Sequence, residues 1–315
     1  MSTRIDRSRP ENPSVVRGTN RRGTGIGRIH MVLSREAKTR HDTAALQVNG
    51  SANRCLGPMI AATTRADERD GYRPGMTQGF DLAAALARGV EGRSDAWTFI
   101  QGFAAHWAGA ALGSDDGWTE ADLDAAEERL GLRLPTALRE AYLLFGRRQD
   151  LTSNHDVLLG PAELHVDDAS EALVFRRENQ GAASWGVLLD SLQDDDPAVL
   201  IRLDLADKSA ERWEGWLERL SLCFVEIILS ESLQADEELC DFLDPDGDSI
   251  ELLETNAVRL PFPAYPLGEE TRWFLGRGVL LRVDDGSAVL ARGRTAEDLD
   301  RVRDLIPGGW LNDCR

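Results

Sequence analysis

Eleven carboxylates stand between Leu220 and Val258, a stretch without a single Lys or Arg, and no other part of the chain concentrates one chemistry so strongly. They are Glu226, Glu231, Asp236, Glu237, Glu238, Asp241, Asp244, Asp246, Asp248, Glu251 and Glu254. Oxygen ligands at this density could hold calcium, and Asp244, Asp246 and Asp248 alternate around Gly247 as a calcium loop would. An EF-hand loop counted from Asp244 needs glycine at its sixth position and glutamate at its twelfth, where Ser249 and Thr255 stand. No metal is therefore expected. Two readings are left: a solvated acidic loop, or a docking surface for a basic protein formed by Asp236, Glu237, Glu238, Asp241, Asp244, Asp246 and Asp248.

Other chemistry finds less support. Gly23-Thr24-Gly25-Ile26-Gly27-Arg28 has the outline of a dinucleotide loop, but Arg28 replaces the last glycine and no strand precedes it. The chain lacks G-x-x-x-x-G-K-[ST], H-E-x-x-H and G-x-S-x-G motifs. None of its five histidines has helical metal-pair spacing. His155 and His165 flank a turn and a strand and could approach in space, although loop histidines are usually solvated. His106 falls off the apolar stripe of its helix, with no acid or nucleophile nearby in sequence. Cys55, Cys223, Cys240 and Cys314 form no C-x-x-C pair, which argues for free thiols. The expectation is a non-enzymatic protein with no catalytic residue and no cofactor.

The best-defined elements lie between Trp118 and Gly146. Thr119 with Asp122 three residues on makes a helix start, and Trp118 and Leu123 occupy the positions whose contact staples it. Leu123, Ala126 and Leu130 recur at helical spacing, and Gly131 supplies a left-handed stop. Pro135 fits the first turn of a second helix, whose apolar face is Leu138, Ala141, Tyr142 and Phe145, with Gly146 ending it. Glu127, Leu130, Gly131, Leu134, Pro135, Leu138 and Tyr142 follow the order of a Glu-rich helix, Leu-Gly, Leu-Pro and an amphipathic helix. In this they resemble the SUKH superfamily, the domain of fungal cell-wall assembly regulators and of many bacterial toxin-immunity proteins. Phe145-Gly146-Arg147 departs from the Asn-Gly that often follows the second helix in that family. The resemblance implies an α+β domain over 118–233 that binds another protein. That partner would be a toxin it neutralises or, as in the fungal relatives, a client in a process such as cell-wall assembly.

Charge sharpens the expected partner. The net charge of −18 is uneven: residues 1–75 carry 14 Lys and Arg against 7 Asp and Glu, leaving 22 against 47, or −25, for residues 76–315. Such a body repels nucleic acid and favours a basic partner, for instance a nuclease-like toxin, although solubility alone also accounts for it. Residues 1–75 form a basic segment without periodicity, expected to be disordered. It is either an over-extended reading upstream of a start at Met76 or a basic tail, and the tail reading lacks a Lys/Arg block and interleaved aromatics. No run of about 20 apolar residues and no signal-peptide pattern appears, so a cytoplasmic, non-membrane protein is expected.

Along the body, residues 76–117 form a helical lead-in in which Trp97, Ile100, Ala104 and Trp107 line one face. Val157–Leu159, Ala172–Phe175, Trp185–Leu189 and Ala198–Leu203 read as strands of an antiparallel sheet. Leu217–Leu233 reads as helix, with Ser221 as an internal cap that splits it. Trp213 and Trp216 fit either its first turn or a last strand. Trp185, Trp213 and Trp216 are candidate anchors for a partner, though a core role competes for each. Residues 234–266 read as an acidic loop and Pro-rich connector. Residues 267–315 read as a hairpin-helix unit: strands Trp273–Leu275, Val279–Val283 and Ala288–Ala291, a turn at Asp284–Ser287, and a helix started by Thr295 and Asp298. The expected class is α+β: helices first, the two-helix joint on a mainly antiparallel sheet, then that C-terminal unit.

Overall fold

A computed structural model describing residues 80–235, 238–262 and 271–313 shows a complete capping box at Thr119. The Thr119 N–H donates to Asp122 Oδ2 at 3.0 Å, and the Asp122 N–H donates to the Thr119 hydroxyl at 3.2 Å. Each side chain thus satisfies a donor that the helix start leaves without a partner. Helix α3 (Glu120–Leu130) ends on Gly131 at φ 68°, left-handed backbone that a Cβ disfavours. Pro135 stands one place before its expected position. Its φ of −54° would suit a helix but its ψ of 146° is extended, so it caps α4 (Thr136–Phe145) rather than joining its first turn.

Before the joint come α1 (Leu82–Ala87) and α2 (Arg93–Trp107). The buried face of α2 is Ala96, Phe99, Ile100, Phe103, Ala104 and Trp107, wider than the expected stripe and without Trp97 at its centre. Trp97 sits at the margin because its indole N–H donates to Glu140 at 2.7 Å, a polar handle that keeps one edge of the ring near solvent. After α4, the short α5 (Gln149–Thr152) leads into the first sheet.

That sheet contains β1 (Val157–Leu158), β2 (His165–Val166), β3 (Ala172–Arg177), β4 (Ala183–Leu188), β5 (Val199–Leu203) and β6 (Glu214–Leu217). All its pairings are antiparallel, in the order β1-β3-β4-β5-β6 with β2 also on β3. Trp216 therefore belongs to a last strand, and Trp213 precedes it. A bulge between Val174 and Arg176 shifts the β3–β4 register. Strict alternation would place Phe175 and Arg176 on opposite faces, yet both are buried, because an irregularity of this kind re-aims side chains.

Helix α6 (Leu220–Ser232) runs unbroken, and every one of its residues is buried. Ser221 does not divide it. Instead, the Ser221 N–H and hydroxyl donate to Asp196 at 2.8 and 2.6 Å in the first turn. Phe224 at its centre lies 5.5 Å from the ring of Phe145 on α4 and 6.1 Å from that of Phe175 on β3. The two-helix joint thus reaches the sheet partly through α6.

The second sheet corrects the view of residues 234–266 as an acidic loop. β7 (Cys240–Leu243), α7 (Gly247–Asn256) and β8 (Val258–Arg259) occupy that segment. They join β9 (Thr271–Leu275), β10 (Val279–Asp284) and β11 (Ala288–Gly293) in the antiparallel order β7-β11-β10-β9-β8. The C-terminal hairpin is present, and its turn uses positive φ at both Asp285 (49°) and Gly286 (65°), which matches the twist of the strands. Helix α8 (Ala296–Leu305) starts on Thr295 as expected and packs Leu299 and Val302 onto Leu281, Val283, Val289 and Ala291. On the opposite face of β10, Arg282 reaches α6. The architecture is α+β, with N-terminal helices, two antiparallel sheets and a C-terminal helix. Among the described residues, no helix is long and apolar enough to cross a membrane. The segment 1–75, the Gly23–Arg28 loop, Met76, Cys55, Cys314 and most of the Pro-rich connector lie outside the described residues.

Candidate functional site

The seven joint residues turn out to hold the joint itself. Glu127, 7% exposed, projects from α3 across Gly131 and accepts the Leu134 N–H at 2.8 Å. Arg133 and Arg139 pair with the same carboxylate, each at 3.1 Å. Leu134, Pro135, Leu138 and Tyr142 are buried, while Leu130 is half-buried. The Tyr142 hydroxyl donates to the Leu159 carbonyl at 2.5 Å, and burial pushes its pKa up. A glutamate at this place in the pattern supplies the acceptor that the tight turn needs, since a buried N–H without a partner is costly.

The acidic candidates separate into different roles. Asp236 and Glu237 lie outside the described residues. Asp241 is buried and cannot face a partner: its Oδ2 pairs with Arg303 at 2.7 Å, and its Oδ1 accepts the N–H groups of Phe242 and Asn312. Asp246 caps α7, accepting the Ser249 N–H at 2.8 Å. Glu238, Asp244, Asp246 and Asp248 are exposed, as are Glu251 and Glu254 along α7. Glu226 and Glu231 belong to the core.

Those two glutamates meet Arg176 in a buried ionic network that the sequence reading passed over. Arg176 lies 3.1 Å from Asp156, 3.3 Å from Glu226 and 2.7 Å from Glu231, and stacks on Trp185 at 4.6 Å. Glu231 also accepts the backbone N–H groups of His155 (2.6 Å) and Asp156 (3.2 Å), which fixes the loop ahead of β1. The Ser230 hydroxyl donates to Glu226 and accepts from Arg282 at 2.9 Å, and Arg282 pairs with Asp284 at 2.8 Å. The network thus connects the two sheets through α6. Burial raises the Glu231 pKa to about 7, with Arg176 opposing the shift, and burial lowers that of His155. A signal was present in the sequence: LSLCFVEIILSES is apolar all round, a helix of that kind is buried, and its two glutamates therefore need partners inside.

On the outer face of the first sheet, His165, Asp167, Arg202, Lys208, Glu211 and Trp213 line a groove of about 310 Å³. Asp167 accepts from Arg202 (3.0 Å) and from the Trp213 indole (3.1 Å), and Arg202 also pairs with Glu211 (3.1 Å). Lys208 donates to Glu211 at 2.7 Å, and this bond is the first cause holding the Glu211 pKa at about 2. The charges here neutralise one another around an indole edge, an arrangement suited to recognition. Of the three tryptophan candidates, Trp185 and Trp216 are buried against each other at 5.3 Å, and Trp213 borders this groove. His165 lies at the groove, whereas His155 lies beside Asp156 and Glu178. His106 bonds its own helix, with Nδ1 2.9 Å from the Gly102 carbonyl oxygen.

Fold and site together describe a two-sheet α+β protein with a ring of surface carboxylates and an internal ionic tie. Comparison of the chain with protein-family models, curated proteins and solved structures finds no match.

Proposed function

We propose that the chain is a protein-binding module of SUKH type that recognises a basic partner, as an immunity protein covers the cationic face of a nuclease-like toxin. The observation that carries this reading is the −25 charge of residues 76–315, part of it displayed at Asp244, Asp248, Glu251 and Glu254 on and beside α7. Opposite charge accelerates encounter, and an amphipathic ring such as Trp213 can then anchor the complex. The Glu127 joint supports the family side of the proposal, because the residues that suggested the resemblance cooperate in one structural device.

The test uses the full chain as bait, followed by kinetics on the captured protein. A basic partner is expected, with an association rate that falls at least about 10-fold between low and high salt and drops again in Asp244→Lys/Glu251→Lys. A captured protein whose rate responds to neither salt nor charge reversal, or no specific capture at all, refutes the proposal.

A further inference from the structure

We propose that His155, Asp156 and Glu178 form a binding site for one divalent transition-metal ion, zinc being the first choice, where the loop before β1 meets the end of β3. One ligand atom from each residue lies within 4.8 Å of the other two. This departs from the expectation of no metal, which rested on spacing along helices; Asp156 and Glu178 are brought together by strand pairing, since Val157 lies opposite Arg177.

The independent observation is at Asp156. Its Oδ2 is held by Arg176, but its Oδ1 is buried and has no hydrogen-bond partner. That oxygen is 4.0 Å from His155 Nε2, beyond hydrogen-bond reach. Ligands of a tetrahedral zinc about 2.0–2.1 Å from the ion stand about 3.4 Å apart, so modest side-chain rotation closes the set. The imidazole is prepared for the role. Burial favours its neutral, ligating form, and the Asn179 amide nitrogen lies 3.1 and 3.2 Å from the two ring nitrogens, so it cannot point along the lone pair of either.

Glu178 is fixed in a similar way. Its Oε2 accepts the N–H groups of Gln180 (2.8 Å) and Ala182 (3.0 Å), which orients the carboxylate and leaves the other oxygen to ligate. Such outer contacts are what hold first ligands in place at metal sites. Charge argues in the same direction: Asp156, Glu178, Glu226, Glu231 and Asp284 adjoin only Arg176 and Arg282 in this network, so a dication reduces a net negative interior. One imidazole with two carboxylates suits first-row divalent ions, whereas magnesium and calcium prefer oxygen alone. His155 and Glu178 are partly exposed, which gives the ion a path in.

The test is calorimetric titration of zinc chloride into the EDTA-stripped full chain, with visible absorption of the cobalt(II) form as a second readout. One ion per chain is expected, not displaced by millimolar magnesium. His155→Ala and Glu178→Gln should each weaken binding by about 100-fold or more, and His165→Ala should leave it unchanged. Glu178→Gln keeps one oxygen for the two backbone donors, so it reports on ligation even if His155→Ala unfolds. Absence of zinc binding by the wild-type chain, or equal binding by wild type and Glu178→Gln, overturns the proposal.

Discussion

Replacing Glu231 by glutamine should reverse an ordinary intuition about salt bridges. Glu231 is 1% exposed and touches Arg176 at 2.7 Å, so pairing alone would predict a depressed pKa and a chain that gains stability as the carboxylate ionises. One guanidinium, however, is shared by Glu231, Asp156 and Glu226, and desolvation is the largest influence on Glu231, moving its pKa from 4.5 to about 7. At about 1.4 kcal/mol per unit, the folded state penalises the ionised form by about 3 kcal/mol relative to the unfolded chain. The folded chain therefore binds this proton more tightly. The contribution to stability is complete below pH 4.5, declines as pH rises toward 7, and is absent above it. Glu231→Gln stays neutral and keeps an oxygen for the His155 and Asp156 N–H groups. Its stability minus that of wild type should rise by about 3 kcal/mol between pH 4 and pH 8. Urea unfolding of both proteins across that range, with EDTA present, measures the trend whatever the absolute offset. A difference that is flat, or that falls with pH, refutes the reasoning.

Two further outcomes follow from single contacts. Glu127→Ala leaves the buried Leu134 N–H without its acceptor and removes a partner of Arg139, so equilibrium unfolding should show a loss of about 1–3 kcal/mol. Phe224→Ala opens a cavity among Trp97, Phe145 and Phe175, where α2, α4 and β3 meet α6; a loss of about 3–5 kcal/mol is expected by the same measurement, and a loss below 1 kcal/mol would place the core elsewhere.

Local chemistry made parts of this fold legible in the chain. Thr119 and Asp122 start a helix, Gly131 stops it, and Thr295 starts another, because a cap is decided by a few adjacent side chains meeting adjacent N–H groups. The strands from Val157 to Leu203 and the Asp285-Gly286 turn were readable for the same reason. Relations between distant residues were not. Summed along the chain, Glu226, Glu231 and Asp241 joined an acidic run, yet each is internal: Arg176 stands 50 residues from Glu226 and 55 from Glu231, and Arg303 stands 62 from Asp241. Whether a carboxylate faces water or a guanidinium depends on which strands and helices stack, and one bulge in β3 was enough to turn Arg176 inward beside Phe175. The same holds for His155, Asp156 and Glu178, which strand pairing gathers from both sides of the β1–β3 ladder. Sequence set the charge of the body and the ends of its helices; packing alone chose which of those charges remain on the surface, since burial and partners are properties of assembled layers.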